Sequence, residues 1–285
     1  MEINWYPGHM AKARKELAEK MKNVDLVIEL CDSRLPYSSR NPDLKQMIGK
    51  RNHILILNKA DLADPGISQR WIQSFRKKGV EAVLAYAKQM KAKEAISAID
   101  NATKETVDRA AAKGIRKTIR AMVVGVPNVG KSTYINRLHG GSIAKTGDRP
   151  GVTRNSQWIR VNPYLEMMDT PGLLWPRMDD QMAAKRLGYL GTIRDEVLHV
   201  DELAMCLLND LAEMVPDRLQ ERYHVEDVSL RDIDLMDAVC RGRGFLMKGN
   251  ESDYDRCCSI VLDEFRAGKL GRITLEMPEE RDEEN

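Results

Sequence analysis

The stretch Gly125-Val126-Pro127-Asn128-Val129-Gly130-Lys131-Ser132 follows the pattern G-x-x-x-x-G-K-S. Such a loop is suited to wrapping phosphates. Backbone N–H groups from Asn128 through Val129, Gly130, Lys131, Ser132 and Thr133 can point at a nucleotide's phosphates, and glycine lets the backbone come close. A helix opening at Lys131 adds the favourable end of its dipole. Lys131 would reach the β- and γ-phosphates, and the Ser132 hydroxyl would ligate Mg²⁺. A chance match is the bland alternative. The apolar run before the loop and the helical pattern after it argue against chance.

Asn58-Lys59-Ala60-Asp61 fits N-K-x-D. A carboxylate at Asp61 can accept hydrogen bonds from the N1–H and the exocyclic amine of guanine, which adenine does not offer. A site built on such a pair rejects the wrong base strongly. The Lys59 stem can cover the ring face while Asn58 braces the loop. Alone, four residues carry little weight; beside a phosphate loop they carry much more. Asp169-Thr170-Pro171-Gly172 fits D-x-x-G, in which the aspartate holds Mg²⁺ and the Gly172 N–H senses a γ-phosphate. Thr153, in a polar stretch between the two, is the candidate hydroxyl that closes over the metal; a plain surface threonine is its alternative. Leu173 stands where many GTPases orient water with glutamine, so intrinsic hydrolysis is expected to be slow. Asn128 can coordinate a monovalent cation or simply brace its loop. His9, in Trp5-Tyr6-Pro7-Gly8-His9, is a lone histidine, a type more often structural than catalytic.

The order of the motifs is unusual: guanine reader, phosphate loop, Mg²⁺ loop. Ordinary GTPases place the guanine reader last, so a circular permutation is expected. The elements that must position these loops can be read from periodicity. Strands are expected near 24–31, 53–57, 82–85, 119–124, 156–161 and 165–168, and helices over 9–22, 41–49, 65–78, 91–112 and 131–138. The alternation implies a mostly parallel, doubly wound α/β sheet with its loops at the strand C-termini. After Pro176 the chain turns helical and acidic, with helices expected around Leu203–Leu211, 217–223, 230–241 and 254–267. The reading is a permuted P-loop GTPase domain over 1–176 and a small all-α domain over 177–285.

Charge divides along the same line. Residues 1–176 carry 30 Lys and Arg against 17 Asp and Glu, and residues 177–285 carry 15 against 26. A basic first part suits a polyanion such as RNA, although nucleotide phosphates also need positive charge. No apolar run reaches the roughly 20 residues that span a bilayer, and the N-terminus lacks the pattern of a signal peptide. The five cysteines show no metal spacing and suit reduced thiols. The chain is therefore read as cytoplasmic, monomeric and without a membrane.

Taken together, the permuted order and several further motifs resemble the YlqF/RbgA family. These are Trp5-Tyr6-Pro7-Gly8-His9-Met10, Asp32-Ser33-Arg34-Leu35-Pro36, Arg40-Asn41-Pro42, Asp148-Arg149-Pro150-Gly151-Val152-Thr153 and Arg266-Ala267-Gly268-Lys269-Leu270-Gly271-Arg272. The resemblance covers essentially the whole chain. It implies a GTPase of late 50S ribosomal subunit assembly, stimulated by that particle and contacting its rRNA through an ANTAR-like helical domain. It also implies a hydrolytic role for His9 and a potassium requirement linked to Asn128. Two departures stand out. Asp32-Ser33-Arg34 replaces D-A-R, and the guanine-edge loop at Tyr86-Ala87-Lys88 lacks the usual serine, leaving a backbone N–H to read guanine O6. RNA binding by the acidic helical part would fall to Arg241, Arg243, Arg266 and Arg272. The competing readings are a nucleotide-gated RNA-binding switch with incidental hydrolysis, and a permuted GTPase of the small subunit.

Overall fold

The computed structural model describes residues 15–86, 92–144, 156–172 and 180–279. Its centre is a six-stranded sheet in the order β3-β2-β1-β4-β6-β5. The strands are β1 (Leu26–Asp32), β2 (Asn52–Asn58), β3 (Glu81–Leu84), β4 (Ile119–Val124), β5 (Gln157–Asn162) and β6 (Leu165–Asp169). All neighbours are parallel except β5, which runs antiparallel to β6 and closes one edge. β1 is buried along its whole length, as a central strand covered on both faces must be.

Helices cover both faces. On one side, the helix over 15–21 and α1 (Leu44–Ile48) seal Val27, Met122, Val124 and Met168, while α2 (Pro65–Lys77) seals Cys31, Leu55 and Leu57 with Trp71 and Phe75. On the other side, α3 (Ala92–Ala111) and α4 (Lys131–His139) pack over Ile28, Leu30, Ile54 and Val123. Local chemistry sets the ends. Asp64 caps α2 by accepting the Ile67 N–H at 2.8 Å, and Pro65 starts the helix, where its missing N–H costs nothing.

The second part is helical: α5 (Gln181–Tyr189), a 3₁₀ turn (Asp195–Val197), α6 (Val200–Met214), α7 (Pro216–Tyr223), α8 (Asp232–Arg243) and α9 (Tyr254–Ala267). Its core gathers Leu203, Leu207, Leu208 and Leu211 of α6 with Val239, Val261 and Phe265. The pattern predicts four of these helices; α5 is an addition, opened by Asp180 accepting from the Ala183 N–H at 2.9 Å.

The chain then returns to the sheet. Ile273 N–H donates to the Leu62 carbonyl at 3.0 Å, Leu275 N–H to Arg34 at 2.9 Å, and the Trp71 indole to the Glu276 carbonyl at 2.9 Å. The Glu276 carboxylate is fully buried and accepts from the backbone of Tyr37 and Ser38, the Ser38 hydroxyl and Arg186. Burial raises its pKa, and these donors partly offset that.

Candidate nucleotide-binding site

The guanine-reader, phosphate-loop and Mg²⁺-loop motifs sit at the C-terminal ends of parallel strands β2, β4 and β6, where doubly wound sheets hold ligands. The phosphate loop leaves β4 and enters α4 at Lys131. Gly130 has φ 93°, and a Cβ there would lie 2.6 Å from the Asn58 amide nitrogen, so only glycine fits. The Asn58 amide donates to the Val129 carbonyl at 2.6 Å. The base-reading loop thus touches the phosphate loop directly, although β1 lies between their strands.

Lys131 is buried, and its ammonium donates to the carbonyls of Gly125 at 3.1 Å and Val126 at 2.8 Å. Burial pulls its pKa down to about 8, against the partial support of Asp169. A phosphate would supply the charge this ammonium is short of. The Ser132 hydroxyl donates to the Asp169 carboxylate at 2.9 Å. One hydroxyl and one carboxylate from two loops form an oxygen donor set suited to a hard cation that keeps several waters. Gly172 packs against the phosphate loop, where a Cβ would come within 2.6 Å of Pro127 Cα. A γ-phosphate and the D-x-x-G backbone would therefore share one wall.

At the base end, Asp61 is half-buried, and its Oδ1 has no hydrogen-bond partner among the described residues; nor does Asn58 Oδ1. A buried carboxylate oxygen without a donor is costly, and a guanine edge supplies two donors. Tyr86 lies at the end of β3 and is exposed. Lys59 takes φ 57°, and its ammonium pairs with Asp32 at 3.2 Å. Of the predicted site residues, His9, Ala87 and Thr153 lie outside the described residues, as does Leu173. The structure brings together the others, with Tyr86 at the rim.

Sequence reasoning named Asp32 and Arg34 only as a motif. The structure gives them work. Burial alone would raise the Asp32 carboxyl, but Arg34 and Lys59 outweigh it and hold it well below the usual carboxylate range. Arg34 grips Asp32 through Nε at 2.9 Å and Nη2 at 2.8 Å, and its Nη1 donates to the Phe265 carbonyl of α9 at 2.6 Å. Arg266 then ties α9 to the end of α5, donating to Gly188 at 3.1 Å and Tyr189 at 3.2 Å, and pairs with Asp195 at 2.7 Å. The Asn128 amide closes the circuit by donating to the Gly191 carbonyl. Base loop, helical part and phosphate loop are therefore joined by one run of hydrogen bonds.

Known proteins resemble this chain in sequence and fold. A family model described as "50S ribosome-binding GTPase" matches residues 120–234. It begins at β4, so the guanine reader falls before it. Ribosome biogenesis GTPase A of Bacillus cereus is 47% identical over 282 residues, covering 98% of this chain and 95% of its own. The protein of that name from Priestia megaterium is 43% identical, covering 99% of each chain. Mitochondrial ribosome-associated GTPase 1 of Mus musculus is 37% identical over 95% of this chain and 89% of its own. Among solved structures, a GDP-bound TM YlqF shares the fold at TM-score 0.68 and 23% identity, covering 93% of this chain and 99% of that one. With the phosphate loop, guanine reader and D-x-x-G gathered on a permuted sheet, and with relatives alike from end to end, the chain belongs to the ribosome biogenesis GTPase A (YlqF/RbgA) family and is a GTP-binding, GTP-hydrolysing enzyme of ribosome biogenesis.

Proposed function

We propose that this GTPase acts in the cytoplasm, as a monomer, at a late step in assembling the large ribosomal subunit, and that the particle stimulates its hydrolysis. The supporting observation is the circuit of hydrogen bonds from Lys59 through Asp32 and Arg34 to α9, and from α5 back to Asn128. It gives a partner seated on the helical part a physical route to the nucleotide loops. Residues 1–176 form the catalytic unit in this reading, and the helices of 177–285 meet the partner.

Ser132 and Asp169, with Thr153, would hold Mg²⁺, which would neutralise charge on the β- and γ-phosphates. The Asn128 oxygen would hold K⁺. Lys131 binds and orients the phosphates, Asp61 and Lys59 fix the base, with Tyr86 and Ala87 at its edge, and His9 takes part in hydrolysis. Single-turnover GTP cleavage with and without purified large subunits tests the reading. Faster cleavage with 50S particles is expected. Equal rates at every magnesium and potassium concentration, or stimulation by 30S particles alone, would overturn it.

A further inference from the structure

The sheet ends at β5, whose outer edge pairs with no other described strand. Alternation along β5 sends Ile159 into the core and leaves Trp158 and Arg160 exposed. The register sets Arg160 opposite Glu166 of β6, and Glu166 opposite Arg120 of β4, a row of charges across three strands. Trp158 is 41% exposed, with the Arg120 guanidinium 5.5 Å from its ring centre. The pairing recurs at the β5–β6 turn: Tyr164 is 52% exposed, and Arg116 lies 5.5 Å from its ring centre and donates to its hydroxyl at 3.1 Å.

We infer that this corner is a contact surface for single-stranded RNA, a reading that rests on the ribosomal partner proposed above. In the row, Arg120 and Arg160 flank one acid, Glu166, which lies 3.5 Å from Arg120, and Arg116 adds a third exposed arginine at the turn. Arg160 makes no ion pair among the described residues, and nearby Asp25 is held by Lys117 at 2.7 Å. Positive charge draws phosphates, but it does not explain two exposed aromatic rings. Unstacked bases do, because they stack on aromatic faces and guanidinium planes. A duplex hides its base faces, and an acidic peptide would use the arginines and leave the rings idle. Beside Tyr164, a cleft of about 340 Å³ between α3 and the sheet is lined by Val107 and Ile119 and rimmed by both signs of charge, Lys104 and Lys117 with Asp100 and Asp108, with room for a splayed base. The helical part offers less to a polyanion. Its Arg241 is paired with Asp237 at 2.7 Å, Arg243 with Glu264 at 3.7 Å, and Arg266 with Asp195, which leaves Arg272 as the exposed one of the four without an ion pair among the described residues.

The test is fluorescence anisotropy of the full chain with a labelled single-stranded oligoribonucleotide of about 16 nucleotides, and with the corresponding duplex, across a salt series. The single strand is expected to bind more tightly. Trp158→Ala should weaken it about tenfold. Replacing Arg116, Arg120 and Arg160 together by alanine should reduce the salt slope by about 2, and replacing them by lysine should restore it. GTP affinity, unchanged in every variant, certifies the fold. Failure of the wild type to bind, preference for the duplex, or variants that bind like the wild type would each overturn the surface. Particle-stimulated hydrolysis is read separately. Wild-type protein that uses this corner for RNA but is not stimulated by large subunits would retire the functional reading alone.

Discussion

Asp61 shows how much one side chain can decide. Its buried Oδ1 lacks a donor among the described residues, and a guanine edge would supply one. Hydrogen bonds to a charged group contribute about 1.5–3 kcal/mol each. Asp61→Asn turns one acceptor into a donor, and GTP affinity is expected to fall about a hundredfold while xanthosine triphosphate gains. Equilibrium titration with both nucleotides checks this; unchanged GTP affinity would remove Asp61 from the base site. At this scale the sequence was highly legible. Asn58, Lys59, Asp61, Lys131, Ser132 and Asp169 lie at the strand ends where local motifs put them, because a loop of fixed length on a strand end leaves few geometries. The sequence did not reveal that Asn58 grips Val129, because that contact joins residues 71 apart.

Among the elements, the loop after β1 is built around buried charge. Arg34 is 1% exposed and joins Asp32 to the C-terminus of α9. Breaking such a pair strands the remaining ion, at about 3–5 kcal/mol. Arg34→Ala should lower the denaturant midpoint accordingly and weaken GTP binding by loosening Lys59; a midpoint shift with intact GTP affinity would confine Arg34 to stability. Glu29, midway along β1, is a second such group. Burial would raise its pKa, but Arg40 at 2.9 Å and His53 at 3.1 Å outweigh this and bring it down to about 2. A depressed carboxylate stabilises the fold fully above its unfolded value near 4.5 and loses that contribution as pH falls towards 2. The wild type should therefore lose on the order of 3 kcal/mol across that window through this group. Glu29→Gln should be less stable at neutral pH with a flatter acid limb; parallel acid limbs would refute the assignment. Strand positions were legible to within a residue or two because apolar runs announce them. The missed α5 is nine residues long and carries one leucine, so its start is marked by the Asp180 cap more than by an apolar run.

For the whole molecule, the expected division near residue 176 describes composition better than it describes contact. Residues 273–276 lie against Leu62, Arg34, Trp71 and Ser38, so the GTPase half is covered partly by chain that follows the helices. A fragment ending at residue 176 should therefore melt well below the full chain and bind GTP poorly. A fragment with wild-type melting and affinity would restore the simple two-domain picture. No sequence pattern could have shown this return, because nothing local in Thr274-Leu275-Glu276 marks a partner more than 200 residues away.

That return also bears on timing. Asp64 and its partner Thr274 are 210 positions apart, so at ordinary translation speeds of about 5–20 residues per second the guanine loop waits roughly 10–40 s for its cover. During that interval the Trp71 indole N–H lacks its Glu276 acceptor and the Leu62 carbonyl lacks its later donor. The enzyme therefore becomes complete only after the helical part has been made. A ribosome still translating this chain carries a GTPase whose base loop is not yet covered.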